Sequence, residues 1–110
     1  MNNQIFEQKL KQNANKLIII LIVDENCDFC IAYSNLIKDV ISDDKYRRYT
    51  FLIQIDQLDE PFDRYNELIS NKVPSIIFLY KDEILLHKIG VLNRNQFLSK
   101  LESYIHKIIN

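Results

Sequence analysis

The chain is predicted to be an α/β domain in which helices cover both faces of a central mixed four-stranded sheet, with the order αβαβαββα. Three stretches carry that prediction. Leu17–Val23 (LIIILIV) is an unbroken apolar run that stops at Asp24-Glu25-Asn26, the pattern of a strand buried on both faces. Residues 49–55 (YTFLIQI) form a second run, closed by Asp56, and a helical segment separates the two. Strands joined through a helix pair in parallel with a right-handed crossover. Residues 76–80 and 84–89 are parted only by the polar turn Lys81-Asp82-Glu83, which predicts an antiparallel hairpin.

The remaining elements follow from local signals. Asn2-Asn3 ahead of Ile5, Phe6 and Leu10 predicts a capped amphipathic helix that loosens at residues 12–15 (QNAN). After the first strand, a second helix is expected from about Asp28 to Ser42. Its inward face is Ile31, Ala32, Leu36, Ile37, Val40 and Ile41, which recur at helical spacing. Asp43-Asp44-Lys45 is a polar break. Glu60-Pro61 opens a third helix, since proline suits a first turn, with Phe62, Tyr65, Leu68 and Ile69 inward and an end near Ser70-Asn71. The hairpin follows Lys72-Val73-Pro74-Ser75 and ends at Gly90, the only glycine. Asn93 caps a last helix reaching about Ile108, with Phe97, Leu98, Leu101, Tyr104, Ile105 and Ile108 inward.

At 110 residues the chain is expected to be one domain, residues 1–110, large enough to bury a core without disulfide staples. The apolar share of 47% and charged share of 26% are ordinary for a globular protein. A formal net charge of −1 leaves no electrostatic footprint for nucleic acid or an anionic membrane. The seven-residue run at Leu17 is too short to span a membrane and lacks a cleavage site, and the residues before it are polar. A monomer in the cytoplasm is therefore expected, without a nucleic-acid or membrane partner.

The two cysteines, Cys27 and Cys30, close almost no loop, so they cannot be a structural framework. They are redox-active or incidental. Cys27 falls where a buried strand gives way to a helix, with Cys30 one turn further on, the setting of a C-x-x-C redox pair. A zinc site would need four ligands. Only His87 and His106 remain as candidates, without ligand spacing and expected on solvated faces, so no metal is expected.

The sequence resembles the thioredoxin superfamily on three features: Cys27-Asp28-Phe29-Cys30 after a buried strand, Val73-Pro74-Ser75 before the hairpin, and Gly90 at its end. From 74 to 97 (PSIIFLYKDEILLHKIGVLNRNQF) the pattern is similar to a thioredoxin C-terminal half without a gap. It also departs from that family. Asn26 stands where a Trp is usual, Asp28-Phe29 where Gly-Pro is usual, and the family's buried carboxylate and its Lys partner fall at Leu21 and Leu52. Both partners are apolar together, so no buried charge is left unpaired. The usual N-terminal edge strand is expected to be missing.

The resemblance implies a thiol-disulfide oxidoreductase that reduces protein disulfides through Cys27 and Cys30. Its partners would be those disulfides and an upstream thiol reductant or reductase; no dissociable cofactor is implied. A thiolate at a helix start faces free N–H groups and the positive end of the helix dipole, so Cys27 attacks and Cys30 resolves. The resemblance further implies a cis Val73–Pro74 bond against the cysteines, with the Val73 backbone free to pair with an extended substrate. Phe29 either packs on a partner or covers the loop. Asp24, Glu25 and Asp28 cap the turn and form an acidic collar, which opposes the thiolate and favours a reductant-like poise. Two other readings stand beside this one: a non-catalytic thioredoxin-like binding module, and a glutathione-linked, glutaredoxin-like reductase.

Overall fold

Asn2 starts the first helix by accepting the Ile5 N–H at 2.9 Å, and the apolar run that follows it becomes the centre of a sheet. The computed structural model describes residues 1–59, 62–69 and 72–109. The elements are α1 (Asn3–Gln12), β1 (Leu17–Val23), α2 (Asp28–Ile41), α3 (Asp44–Arg47), β2 (Thr50–Asp56), α4 (Asn66–Ile69), β3 (Ser75–Tyr80), β4 (Glu83–Ile89) and α5 (Arg94–Ile109). Among the described residues the sheet has four strands in the order β2-β1-β3-β4. β1 is parallel to β2 and antiparallel to β3, which pairs with β4 as the predicted hairpin.

Strand side chains alternate between faces, and the two halves of the core divide accordingly. Leu17, Ile19, Leu21, Val23, Ile76 and Phe78 meet α2 and α5 on one face. The Phe78 ring lies 5.8 Å from Phe97 and 5.2 Å from Tyr104, centroid to centroid. Ile18, Ile20, Ile22, Ile53, Ile55, Ile77 and Leu79 face the other way, toward Phe6 and Leu10 of α1, Phe62, and Ile69 of α4. Among the described residues no strand precedes β1, so β2 forms one sheet edge.

Four local expectations need correction. The polar break is a helical turn, α3, because the Asp43 carboxylate caps the Lys45 N–H at 2.9 Å and Tyr46 is buried. The Tyr46 hydroxyl donates to Glu102 Oε1 at 2.6 Å and so docks that turn on α5. The third helix is shorter than predicted: α4 begins at Asn66, and Phe62 to Tyr65 precede it in irregular backbone. Its expected boundaries, Glu60-Pro61 and Ser70-Asn71, lie outside the described residues. Here Arg64 bridges Glu7 of α1 and Asp82 of the hairpin turn, at 3.3 and 2.9 Å, tying irregular chain to regular elements. The inward face of α2 is rotated: Ile31 and Ala32 are exposed, while Tyr33 and Ser34 are buried beside Ile37 and Val40. Finally, His87 is not on a solvated face; it is half-buried, and its Nε2 is buried with no hydrogen-bond partner among the described residues.

No helix among the described residues is long and apolar enough to cross a membrane. α5 starts with a reciprocal cap: Asn93 Oδ1 accepts the Gln96 N–H at 2.9 Å, and the Asn93 N–H donates to Gln96 Oε1 at 3.0 Å. Two donors that the helix leaves unpaired are satisfied together. Asn93→Ala should therefore lower the unfolding free energy by about 1 kcal/mol. A lower urea midpoint at unchanged slope is the expected reading; an unchanged midpoint would show that the cap contributes nothing.

Candidate active site

β1 ends where its chain reaches water. Asp24 Oδ1 accepts the Asn26 N–H at 2.9 Å, and the Asp24 carbonyl accepts the Cys27 N–H at 3.1 Å. This tight turn delivers Cys27 to the N-cap of α2, where its Sγ accepts the Cys30 N–H at 3.1 Å. A sulfur held there faces the unpaired donors and positive end of a helix, both of which favour thiolate. Cys27 and Cys30 are joined as a disulfide, with Cα atoms 5.3 Å apart. The two are not equivalent: Cys27 is partly exposed, whereas Cys30 is only 2% exposed.

The neighbours expected from sequence fall into two groups. Glu25 and Asp28 are exposed; Asp24 is half-buried and serves the turn as a cap. Phe29, between the cysteines, is 75% exposed and so does not cover the loop. Val73 packs against the same core cluster as Cys27, and Pro74 behind it is buried. The Val73–Pro74 peptide bond is cis. The Pro74 carbonyl accepts the Gly90 N–H at 2.8 Å. Gly90 has φ +92°, a conformation strained for any residue with a side chain, although a Cβ there would meet nothing within 4 Å. The backbone, and not lack of space, requires glycine.

Other features of the site have no clear signature in the local sequence pattern. Ser34, one turn beyond Cys30, donates its hydroxyl to Gln54 Oε1 at 2.7 Å. The pair lines a cleft of about 340 Å³ with Cys30, Asp24, Lys38 and Asp56. Leu21 is fully buried and Leu52 half-buried, and the polar groups that line the cleft with Cys30 include Ser34 and Gln54. Tyr33, 1% exposed, accepts the Leu92 N–H on its hydroxyl at 3.2 Å. The spacing Cys30, Tyr33, Ile37, Val40 carried the signal for this face, but Tyr33 lay between more apolar neighbours. Among the described residues no group of three or more His, Cys, Asp or Glu could hold a metal ion, and His106 is exposed.

Burial pushes the Tyr33 phenol above its ordinary value of 10.0, outweighing the Leu92 N–H, which acts in the other direction. The folded state therefore keeps a proton that the unfolded chain releases first. That preference is fully present below the unfolded value and is lost as pH rises through the folded one. Urea midpoints should fall as pH rises past the ordinary value of 10.0, and Tyr33→Phe should flatten the decline. An identical decline in the variant would assign it to other groups.

No protein-family model matches the chain, and no curated protein does. Many solved structures do. Chloroplastic thioredoxin z superimposes with a TM-score of 0.76 at 18% identity, covering 94% of this chain and 89% of that one. The germline-specific thioredoxin Deadhead of Drosophila melanogaster gives 0.71 at 18% identity, covering 89% and 90%. Fasciola hepatica thioredoxin gives 0.72 at 13%, covering 89% of each chain. Likeness at such identities speaks to architecture: the chain has the thioredoxin fold, with a Cys-x-x-Cys disulfide where its central strand gives way to a helix.

Proposed function

We propose that the protein is a thiol-disulfide oxidoreductase that reduces disulfides in protein substrates. One observation carries this reading: the sulfur of Cys27 sits at the α2 N-cap and accepts the Cys30 N–H, while Cys30 is buried behind it. In the reduced protein the Cys27 thiolate attacks a substrate disulfide, and one substrate sulfur leaves and takes up a proton. Cys30 loses its proton and attacks the Cys27 sulfur of the mixed disulfide. The second substrate thiol leaves, and the Cys27–Cys30 bond forms. Two electrons have passed from the cysteine pair to the substrate, and an upstream thiol reductant or reductase restores them. The exposed Phe29 ring offers an apolar contact to the partner, and the Val73 backbone a place for an extended segment. In this reading the protein works as a cytoplasmic monomer, without a dissociable cofactor.

The wild type should accelerate insulin reduction by dithiothreitol. Cys30→Ser should accumulate mixed disulfides with partners, and Cys27→Ser should accumulate none. No acceleration would favour a non-catalytic binding module, and turnover with glutathione alone a glutaredoxin-like enzyme.

Asp24, Glu25 and Asp28 tune this site in the same reading, since carboxylates close to a thiolate oppose its formation. Asp24→Asn keeps the side-chain oxygen that caps Asn26, so the turn survives neutralisation. The triple variant Asp24→Asn, Glu25→Gln, Asp28→Asn should make the Cys27 thiol more acidic and its disulfide more oxidising, less so at high salt. Thiolate absorbance against pH decides it. An unchanged or less acidic thiol would reduce the collar to a solvated cap.

A further inference from the structure

We infer that Tyr33 is a positioning residue, whose buried hydroxyl holds residues 90–92 against α2 so that Val91 flanks the cysteine pair for a protein substrate. This rests on the oxidoreductase reading above. The segment is fastened at both ends. The Gly90 N–H donates to the Pro74 carbonyl at 2.8 Å, and the Leu92 N–H donates to the Tyr33 hydroxyl at 3.2 Å. Between these ties Val91 remains 46% exposed, while Leu92 is buried at 6%. An apolar side chain is thus kept at the surface by a backbone anchored on either side of it.

The two anchors adjoin the candidate site along the chain. Pro74 follows Val73, and Tyr33 lies one turn beyond Cys30 on the same face of α2. Cys30, Tyr33 and Leu92 share one core cluster, against which Cys27 and Val73 also pack. Tyr33 itself is buried, so it reaches a substrate only through the segment it holds. Without that oxygen the buried Leu92 N–H has lost its acceptor, and the backbone must shift to find another. A protein substrate, which lies across the segment beside its disulfide, feels that shift. A small disulfide, which meets only the sulfurs, does not.

Tyr33→Phe keeps the ring and removes the oxygen. In insulin reduction KM should rise about tenfold, the scale of one buried donor losing its acceptor, with kcat unchanged. The rate with hydroxyethyl disulfide and the reduction potential of the Cys27–Cys30 couple should also be unchanged, while hydrogen exchange of the Leu92 amide speeds up about tenfold. An unchanged KM or an unchanged Leu92 amide would overturn the inference, as would equal losses with both disulfides, which mark a disturbed core. A wild type inactive toward both would overturn the oxidoreductase reading and the inference with it.

Discussion

β1 lies between two strands and beneath helices on both faces, and each side chain from Leu17 to Val23 is buried. Burial of one aliphatic side chain contributes about 1.5–3 kcal/mol, whereas a buried charge without a partner costs far more. The strand therefore has no position for a polar residue, and the chain turns polar where that cover ends, at Asp24. The Asp24 turn then sets the start of α2, and the start of α2 sets Cys27 at its N-cap. The position of the first cysteine is a consequence of how far the central strand stays covered.

Register brings the rest of the site to the same sheet end. Because β1 and β3 are antiparallel, Ile22 near the end of β1 faces Ser75 at the start of β3. Ser75 in turn faces Ile89 at the end of β4. The residues just beyond these pairs are the cysteine turn, Val73-Pro74 and Gly90. Three segments far apart in the chain meet there. The Gly90 to Pro74 and Leu92 to Tyr33 hydrogen bonds then fix the loop against that framework.

The surroundings of the two sulfurs differ in polarity. In the core cluster that the pair joins, Leu21 and Leu52 carry no charge, so these two positions make no ionic demand on folding. The polar groups lie to the side and outside: the Ser34–Gln54 pair in the cleft beside Cys30, and the carboxylates of Asp24, Glu25 and Asp28 around Cys27. Glu25 and Asp28 are exposed, so solvent screens their charge and it costs the core little.

Element order, the parallel pair, the hairpin and the helix caps at Asn2 and Asn93 were legible in the sequence because each depends on local chemistry: apolar periodicity, turn residues and side-chain oxygens. So was the placement of Cys27 at a strand-helix junction. What the sequence left open was decided by packing between distant segments. Ile31 and Ala32 look like a core face, yet α2 turns Tyr33 and Ser34 inward because Leu92 and Gln54 supply hydrogen-bond partners there. Asp43-Asp44-Lys45 looks like a loop, yet it becomes a helical turn because Tyr46 finds Glu102. His87 looks like a solvated residue, yet it is half-buried in a strand whose neighbours cover its Nε2. Local pattern states which residues are apolar; only the fold states which polar residues meet a partner that makes their burial affordable.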